Sequence, residues 1–363
     1  MEEAVGAEYS RSWIATNRSA QNGLGAICRS KAPLRISFAG GGTDFPHWYD
    51  EHGGAVLCCT INRYAYVAVH PREDEEVHVR SVDLGHSIKY RIKDGPMYDG
   101  MLDLTKAAIF HLAPRRGMSL DVRSDAPPGS GLGGSSALTA AVLGAVAAYA
   151  NRNLDRYDFA ELNYYVERKD LKIEGGKQDQ FATTFGGFNV IEFHRDRVVV
   201  NPLRIDQNII NDLEAHLILC YTGRARTDLG LISKQIQFYQ ERRQGTEEGM
   251  RRLYELVFEM KEALLRRRLD TFGELLHEAY VNKKRMNPDV AAGTIADELY
   301  ERARQAGAVG GKLMGAGGGG YLLVYAPSNR RHAVVQALSD AGGQVTDFNF
   351  DLAGLQAWRS HCP

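Results

Sequence analysis

Hydrophobic and polar positions change their spacing near residue 203, and this change divides the chain into two parts. Between Ser30 and about Leu203, short apolar runs alternate with glycine-rich turns, which predicts strands and two helices. From Asn211 to Arg304 the pattern is mostly typical of helices, and one apolar strand interrupts it. The later order of elements predicts an α+β second domain. We therefore expect a flexible N-terminal extension at 1–29, one domain at 30–203 and a second at 204–363.

The individual elements follow from the same patterns. In the first part we predict strands at Leu34–Ala39, Ala55–Thr60, Ala65–Val69, Glu76–Ser81, Ser119–Arg123, Phe188–Phe193 and Val198–Val200, and helices at Ser136–Ala150 and Asp155–Lys169. In the second part we predict strands at Leu217–Tyr221, Tyr321–Tyr325 and Gln344–Phe350, and helices at Asp228–Arg242, Glu247–Arg267, Asp270–Lys284, Ala292–Gln305 and near Arg331–Ala341.

Composition restricts the class of protein. Of 363 residues, 44% are hydrophobic and 25% are charged, which is typical of a soluble globular protein. A formal net charge of −1 gives no basis for binding nucleic acid or an anionic membrane. The five cysteines include no Cys-x-x-Cys pair, which favours reduced thiols. The N-terminus lacks the pattern of a secretion signal, and the longest apolar run is too short to span a bilayer. We expect a cytoplasmic protein.

The segment 125–137 carries the clearest chemistry. It reads Asp-Ala-Pro-Pro-Gly-Ser-Gly-Leu-Gly-Gly-Ser-Ser-Ala and lies between a predicted strand and a predicted helix. Glycines let a ligand approach the backbone, and the N–H groups at a helix start attract anions. A flexible linker and a dinucleotide site are the alternatives, but no acid ends a second strand about 20 residues later. We interpret the segment as a nucleotide-phosphate loop.

Two further glycine clusters lie at 38–44 and 310–320, and three such loops indicate several backbone segments around one ligand. For the last of them, a glycine-dense hairpin is the alternative. Asp179 follows a glycine turn, and Arg35 lies inside a predicted strand, where it needs a carboxylate or phosphate partner. Taken alone, Asp179 is more often a turn residue and Glu167 a solvated helix charge.

Together, these segments resemble the three motifs of the GHMP small-molecule kinases. The segments at 32–44, 127–137 and 312–320 match the three motifs in order and spacing. Within the family, Gly-Gly-Gly-Thr-Asp at 40–44 and Glu-Gly-Gly-Lys-Gln-Asp-Gln-Phe at 174–181 resemble the sugar 1-kinases that act on D-glycero-D-manno-heptose 7-phosphate. The segments at 185–189 and 221–226 extend this closer resemblance. The resemblance covers about residues 30–350.

The resemblance implies a fold, a reaction and two cofactors. The fold is the two-domain GHMP kinase fold, α+β, with an N-terminal domain like ribosomal protein S5 domain 2 and a ferredoxin-like C-terminal domain. ATP and Mg²⁺ would lie in the cleft between them. The reaction would phosphorylate the anomeric hydroxyl of a heptose 7-phosphate, giving the 1,7-bisphosphate for nucleotide-activated heptose synthesis. The partner is then a small phosphosugar, and a homodimer is left open as the assembly.

The resemblance also implies residue roles. Asp179 would be the catalytic carboxylate and Arg35 its neighbouring arginine, while Ser136 and Glu167 would contact the metal. The expected ATP phosphate loop comprises Pro128, Gly129, Ser130, Gly131, Leu132, Gly133, Gly134, Ser135 and Ser136. The expected substrate residues are Gly41, Gly42, Thr43, Asp44, Gly176, Lys177, Arg226, Gly317 and Gly318. Lys177 is placed there because, in an extended segment, it would point to the same side as Asp179.

The sequence departs from the galactokinase pattern in two places. Gly41 and Gly42 stand where galactokinases have Glu-His, and the phosphate loop contains one extra glycine. The first departure leaves open a kinase for another sugar, such as fucose or a uronic acid. The second leaves open whether Ser135 or Ser136 contacts the metal. A catalytically silent sugar or nucleotide sensor is the alternative of a different class, and a dehydrogenase is a more distant one.

Overall fold

The computed structural model describes residues 26–224, 230–290 and 293–361. The strands of the first and larger sheet are β1 Ala26–Ala39, β2 Gly54–Pro71, β3 Glu76–Ser81, β4 His86–Arg91, β5 Met118–Ser124, β6 Asn189–Phe193, β7 Val198–Pro202, β12 Phe350–Asp351 and β13 Gln356–His361. Its main path is β13-β1-β2-β5-β3-β4, while β6 and β12 pair with the other half of β2. Pairing is antiparallel except between β3 and β5.

The first part of the chain contains five α-helices in its described residues. They are α1 Pro46–His52, α2 Asp103–Leu112, α3 Gly134–Tyr149, α4 Arg156–Tyr164 and α5 Gln178–Phe185. A π-helical turn, Tyr165–Asp170, continues α4. Helix α3 is rich in alanine and almost entirely buried, so it packs closely against β1 and β2. This burial fixes the start of α3, directly after the glycine loop.

A second, four-stranded antiparallel sheet forms in the C-terminal part. Its strands are β8 Leu217–Tyr221, β9 Gly310–Leu313, β10 Tyr321–Tyr325 and β11 Gln344–Thr346, in the order β11-β8-β10-β9. The helices of this part are α6 Gln207–His216, α7 Leu231–Gln240, α8 Gln244–Leu265, α9 Leu269–Met286, α10 Ile295–Gln305 and α11 Ser328–Asp340. In the described part of the chain, no helix combines the length and apolar character needed to cross a membrane.

Several predicted strand and domain boundaries are wrong. The strands predicted at Ala55–Thr60 and Ala65–Val69 are one strand, β2, because the polar residues between them lie at an irregularity of its pairing with β1 rather than in a turn. Residues 26–29, predicted as part of a flexible extension, form the start of β1 and pair with β13. The segment 350–361, predicted within the second domain, adds β12 and β13 to the first sheet.

The backbone conformation around Asp179 also differs from the prediction. Lys177 was expected in an extended segment after the glycine turn, but α5 begins at Gln178 and Lys177 has helical backbone angles. Phe181 and Phe185 lie one turn apart on α5, and their rings stack at 6.3 Å. This spacing of four is the signal in the sequence that predicts a helix. Asp179 therefore sits in the first turn of a helix.

Candidate active site

The glycine loop before α3 has a backbone that favours anion binding. Gly129, Gly131 and Gly133 have φ angles of 73°, 82° and 74°. Gly133 directly precedes α3, so the unpaired N–H groups of the first helical turn lie beside the loop. This alternation of left-handed glycines at a helix N-terminus is the arrangement that binds phosphate groups.

Arg35 holds this loop against the first sheet. Its backbone N–H donates to the carbonyl of Leu132 at 2.9 Å. Its guanidinium Nη1 donates to the carbonyl of Gly131 at 2.6 Å. Only 3% of the arginine is exposed. Asp179 is the anionic partner that was predicted for the buried Arg35.

Arg35 and Asp179 form an ion pair at the inner edge of the loop. Arg35 Nη2 lies 2.5 Å from Asp179 Oδ1, and Nε donates to the same oxygen at 2.7 Å. A β-carbon placed on Gly133 would lie 3.5 Å from the Asp179 carboxyl carbon. The structure therefore brings the predicted catalytic pair directly against the predicted phosphate loop.

Ser136 and Glu167 meet in the buried floor behind the loop. The Ser136 hydroxyl donates to Glu167 Oε2 at 2.9 Å, and both residues are fully buried. Gln180 also donates to that oxygen, and Arg168 lies 3.1 Å from it. Burial raises the pKa of the Glu167 carboxyl. Among the described residues the other carboxylate oxygen, Oε1, has no hydrogen-bond partner.

The third glycine cluster packs directly on the phosphate loop. A β-carbon on Gly131 would lie 2.8 Å from the carbonyl oxygen of Met314. The Tyr321 N–H donates to the carbonyl of Ser130 at 3.0 Å. Gly131 must therefore lack a side chain to let the two loops meet. This contact joins the second sheet to the phosphate loop.

Gly317 and Gly318, predicted to contact substrate, face a different neighbour. A β-carbon on Gly317 would lie 2.6 Å from the Val290 side chain, and the Gly318 N–H donates to the Val290 carbonyl at 2.9 Å. These two glycines thus pack against the turn that follows α9.

Asp44 ties the turn at 40–44 to helix α5. Its carboxylate accepts the N–H of Gly42 at 3.0 Å and the N–H of Gln178 at 3.1 Å. Burial is the main cause that raises the pKa of this carboxyl. A β-carbon on Gly176 would collide with Asp44 Oδ2. The buried Thr43 hydroxyl lies within hydrogen-bond distance of the backbone of Gly40 and Ala55, so it shapes the same turn.

Lys312 lies at the site, although no role was predicted for it from the sequence. It lies on β9, is 4% exposed, and its Nζ donates to the carbonyls of Ser37 at 2.8 Å and Phe38 at 3.1 Å. Burial, with a smaller contribution from Arg35, lowers the pKa of Lys312 to about 7. The signal that could have identified it is a lysine inside an apolar strand beside a glycine cluster, since such a lysine needs buried acceptors.

Two basic residues, Lys177 and Arg226, were predicted to contact the substrate, and the structure describes the first of them. Lys177 is half-buried, and its Nζ lies 4.7 Å from the centre of the Tyr164 ring and 5.8 Å from that of Tyr49. No carboxylate of a described residue lies within ion-pair distance of this nitrogen. Arg226 lies outside the described residues.

An anion-binding loop, a guanidinium–carboxylate pair and a buried serine–glutamate pair define a phosphoryl-transfer site of the small-molecule kinase class. The family model described as GHMP kinases N terminal domain matches residues 100–187, and that described as GHMP kinases C terminal matches 260–344. A D-glycero-alpha-D-manno-heptose 7-phosphate kinase of Campylobacter jejuni is 36% identical over 91% of this chain and 98% of its own length.

Solved structures give the same result. A D-glycero-D-manno-heptose 1-phosphate kinase from Bacteroides thetaiotaomicron has a TM-score of 0.77 at 32% identity, covering 92% of this chain and 100% of its own. A Lactococcus lactis galactokinase complexed with galactose has a TM-score of 0.74 at 20% identity, covering 98% of this chain and 100% of its own, and shows the fold alone. The chain belongs to the GHMP kinase family and has its two-domain fold. It is a sugar kinase, and ATP is the phosphate donor of this family.

Proposed function

We propose that this kinase transfers the γ-phosphoryl group of ATP to the anomeric hydroxyl of D-glycero-D-manno-heptose 7-phosphate. The observation that carries the proposal is the Arg35–Asp179 pair at 2.5 Å, set against the phosphate loop at Gly133. The extended likeness to the Campylobacter jejuni heptose 7-phosphate kinase supports the choice of sugar. The product is the 1,7-bisphosphate.

Different residues bind the two substrates, ATP and the sugar. Backbone N–H groups of residues 128–136 bind the phosphates of ATP. Asp179 accepts the proton of the sugar hydroxyl or orients that hydroxyl for in-line attack. Arg35 positions Asp179 and offsets negative charge on the transferring group. Lys177, a cation at the start of the same helix, is available for the distal phosphate of the sugar.

Ser136 and Glu167 fit a magnesium ion. A hydroxyl and a carboxylate are hard oxygen donors of the kind that Mg²⁺ uses together with water and phosphate oxygens. Within the described ranges, Glu167 Oε1 is a buried acceptor without a hydrogen-bond partner, and a bound cation would supply one. The ion would neutralise charge on the phosphate oxygens of ATP.

Phosphorus NMR of the reaction product tests the proposal. One of the two similar kinases is named for a heptose 7-phosphate and the other for a heptose 1-phosphate. The assay therefore offers the heptose 7-phosphate and the heptose 1-phosphate separately with ATP and Mg²⁺. We expect only the 7-phosphate to yield a second, anomeric phosphate signal. Turnover restricted to the 1-phosphate, or to an unphosphorylated sugar such as fucose, would contradict the proposal.

A further inference from the structure

Asp44, predicted to contact the substrate, also has a structural role. Its two oxygens accept backbone N–H groups of Gly42 and Gln178, and only 1% of the residue is exposed. A carboxylate in this position fixes the start of α5 relative to the turn at 40–44. The two backbone donors use about half of the acceptor positions of this carboxylate, and other polar groups around the turn can add to recognition of the sugar.

Three uncharged polar side chains converge on the same turn with unused hydrogen-bonding atoms. They are Ser37 from β1, Gln178 from α5 and Gln235 from α7. Among the described residues, Ser37 Oγ, Gln178 Oε1 and Gln235 Nε2 have no hydrogen-bond partner. Gln235 is 8% exposed and Ser37 is 5% exposed. Buried polar atoms are nearly always paired in folded proteins, so this cluster calls for a ligand.

The two glycines of the turn create the space between these side chains. A β-carbon on Gly42 would lie 2.9 Å from Gln235 Nε2, and one on Gly41 would lie 3.7 Å from Gln178 Nε2 and 4.0 Å from Ser37 Oγ. Any side chain at Gly42 would therefore displace the Gln235 amide. The absence of side chains at both positions brings groups from β1, α5 and α7 around one short stretch of backbone.

We propose that Ser37, Gln178 and Gln235 form an uncharged hydroxyl-recognition subsite that sets the sugar specificity of the kinase. A sugar hydroxyl donates one hydrogen bond and accepts others, and this matches the free carbonyl of Gln178 and the free amide of Gln235. Binding the hydroxyl would require the two flexible glutamine side chains to move, because the three atoms themselves are buried. The inference rests on the proposed sugar-kinase reaction and assigns its ring-hydroxyl specificity to residues 37, 178 and 235.

The subsite binds a ring hydroxyl rather than the phosphate of the sugar. None of the three side chains carries a charge, so the cluster offers no cation to a phosphate dianion. The Nζ atom of Lys177, which precedes Gln178, lies instead within 6 Å of the ring centres of Tyr49 and Tyr164, at 5.8 and 4.7 Å. The phosphate and the ring hydroxyl are thus assigned to different side chains, of which Lys177 and Gln178 are adjacent in the sequence.

Steady-state kinetics with deoxy sugars test this subsite. The wild type, Gln178→Leu and Gln235→Leu are compared on the sugar and on analogues that lack one ring hydroxyl at a time. We expect each variant to raise the KM for the complete sugar roughly 10- to 100-fold, the effect of losing one buried hydrogen bond. The KM for ATP should stay unchanged. For one deoxy analogue, wild type and variant should have the same kcat/KM.

Controls make the outcome decisive. Gln237→Leu changes an exposed glutamine on the same helix, α7, and should leave every constant unchanged. Gln235→Glu keeps the shape of the side chain but removes the donor, and it replaces the leucine variant if that variant does not fold. Unchanged discrimination among all deoxy analogues in the glutamine variants would overturn the subsite.

The proposed reaction is judged separately by the wild type. The same panel includes fucose and a uronic acid, so the variants are compared on whichever sugar the wild type phosphorylates. Activity on an unphosphorylated sugar alone would overturn the heptose 7-phosphate assignment, and the glutamine variants would still decide the subsite on that sugar. Inactivity on every sugar would overturn both.

Discussion

The Lys312 side-chain nitrogen lies 2.8 Å from the carbonyl oxygen of Ser37 and donates a hydrogen bond to it. This contact links β9 of the second sheet to β1, the strand that carries Arg35. It also places a lysine with a pKa of about 7 behind the catalytic pair. The link between the two sheets at this point therefore depends on a side chain that is costly to protonate.

Stability should rise with pH because of Lys312. Between about pH 7 and the ordinary lysine pKa of 10.5, the unfolded chain binds a proton at Lys312 that the folded protein does not. The unfolding free energy therefore increases with pH across this window, by on the order of a few kcal/mol. Urea denaturation between pH 7 and 9 measures the slope. Lys312→Met should have a smaller slope than wild type, and equal slopes would refute the assignment.

Asp179→Asn should remove most turnover and retain nucleotide binding. The amide cannot accept the sugar proton, and general-base catalysis typically contributes about 10²- to 10⁴-fold to kcat. Quenched-flow or coupled assays give kcat, and the rise in melting temperature on adding ATP reports binding. Asp340→Asn on the far helix α11 serves as the control. A kcat near the wild-type value in Asp179→Asn would remove this residue from the mechanism.

Gly133→Ala should disturb catalysis as well as stability. A β-carbon there would lie 3.3 Å from Arg35 Cγ and 3.5 Å from the Asp179 carboxyl carbon, at a φ of 74°. Gly85→Ala is a matched control, because its φ is 66° and nothing lies within 4 Å of the added carbon. Both variants should lose about 1 kcal/mol of stability from the left-handed backbone. Only Gly133→Ala should lower kcat, and equal kcat values would count against the pair.

Glu167→Gln should increase the concentration of Mg²⁺ that gives half-maximal activity. The substitution keeps the shape of the side chain but removes the charge that Ser136, Gln180 and Arg168 surround. A magnesium titration at fixed ATP checks the shift, and thermal melting checks the fold. Glu161→Gln, one and a half turns earlier, is the comparison. A wild-type magnesium requirement in Glu167→Gln would exclude this carboxylate as a ligand.

The sequence predicted the parts of the site that are local. Strands at Glu76–Ser81, Leu217–Tyr221 and Tyr321–Tyr325 agree with the structure at both ends, because alternating or continuous apolar runs are bounded there by turns. The phosphate loop could be predicted because a strand, a glycine cluster and a helix follow one another directly. For Arg35 the sequence predicted that the guanidinium must have a carboxylate or phosphate partner, but it did not predict that this partner is Asp179.

The parts that the sequence did not predict depend on contacts between distant segments. Lys312 meets Ser37 across 275 positions, and no local pattern indicates which carbonyls a buried lysine will find. Asp44 was read as a ligand for sugar, whereas its backbone partners at α5 became visible only once that helix was placed. Gln178 and Gln235 are candidate sugar-binding residues because, in the described structure, they have unpaired atoms and lie beside Gly41 and Gly42. No local sequence pattern indicates this arrangement.

The return of the chain to its first sheet affects how the protein can fold during synthesis. Strand β13 pairs with β1, and β12 pairs with the centre of β2. Once residues up to Pro202 have emerged from the ribosome, all the other strands of that sheet are available, yet the edge of β1 at residues 26–31 still lacks its neighbour β13. The first residues of β1 should therefore gain full protection from hydrogen exchange only after residues 350–361 emerge, so completion of the first sheet waits for the end of synthesis.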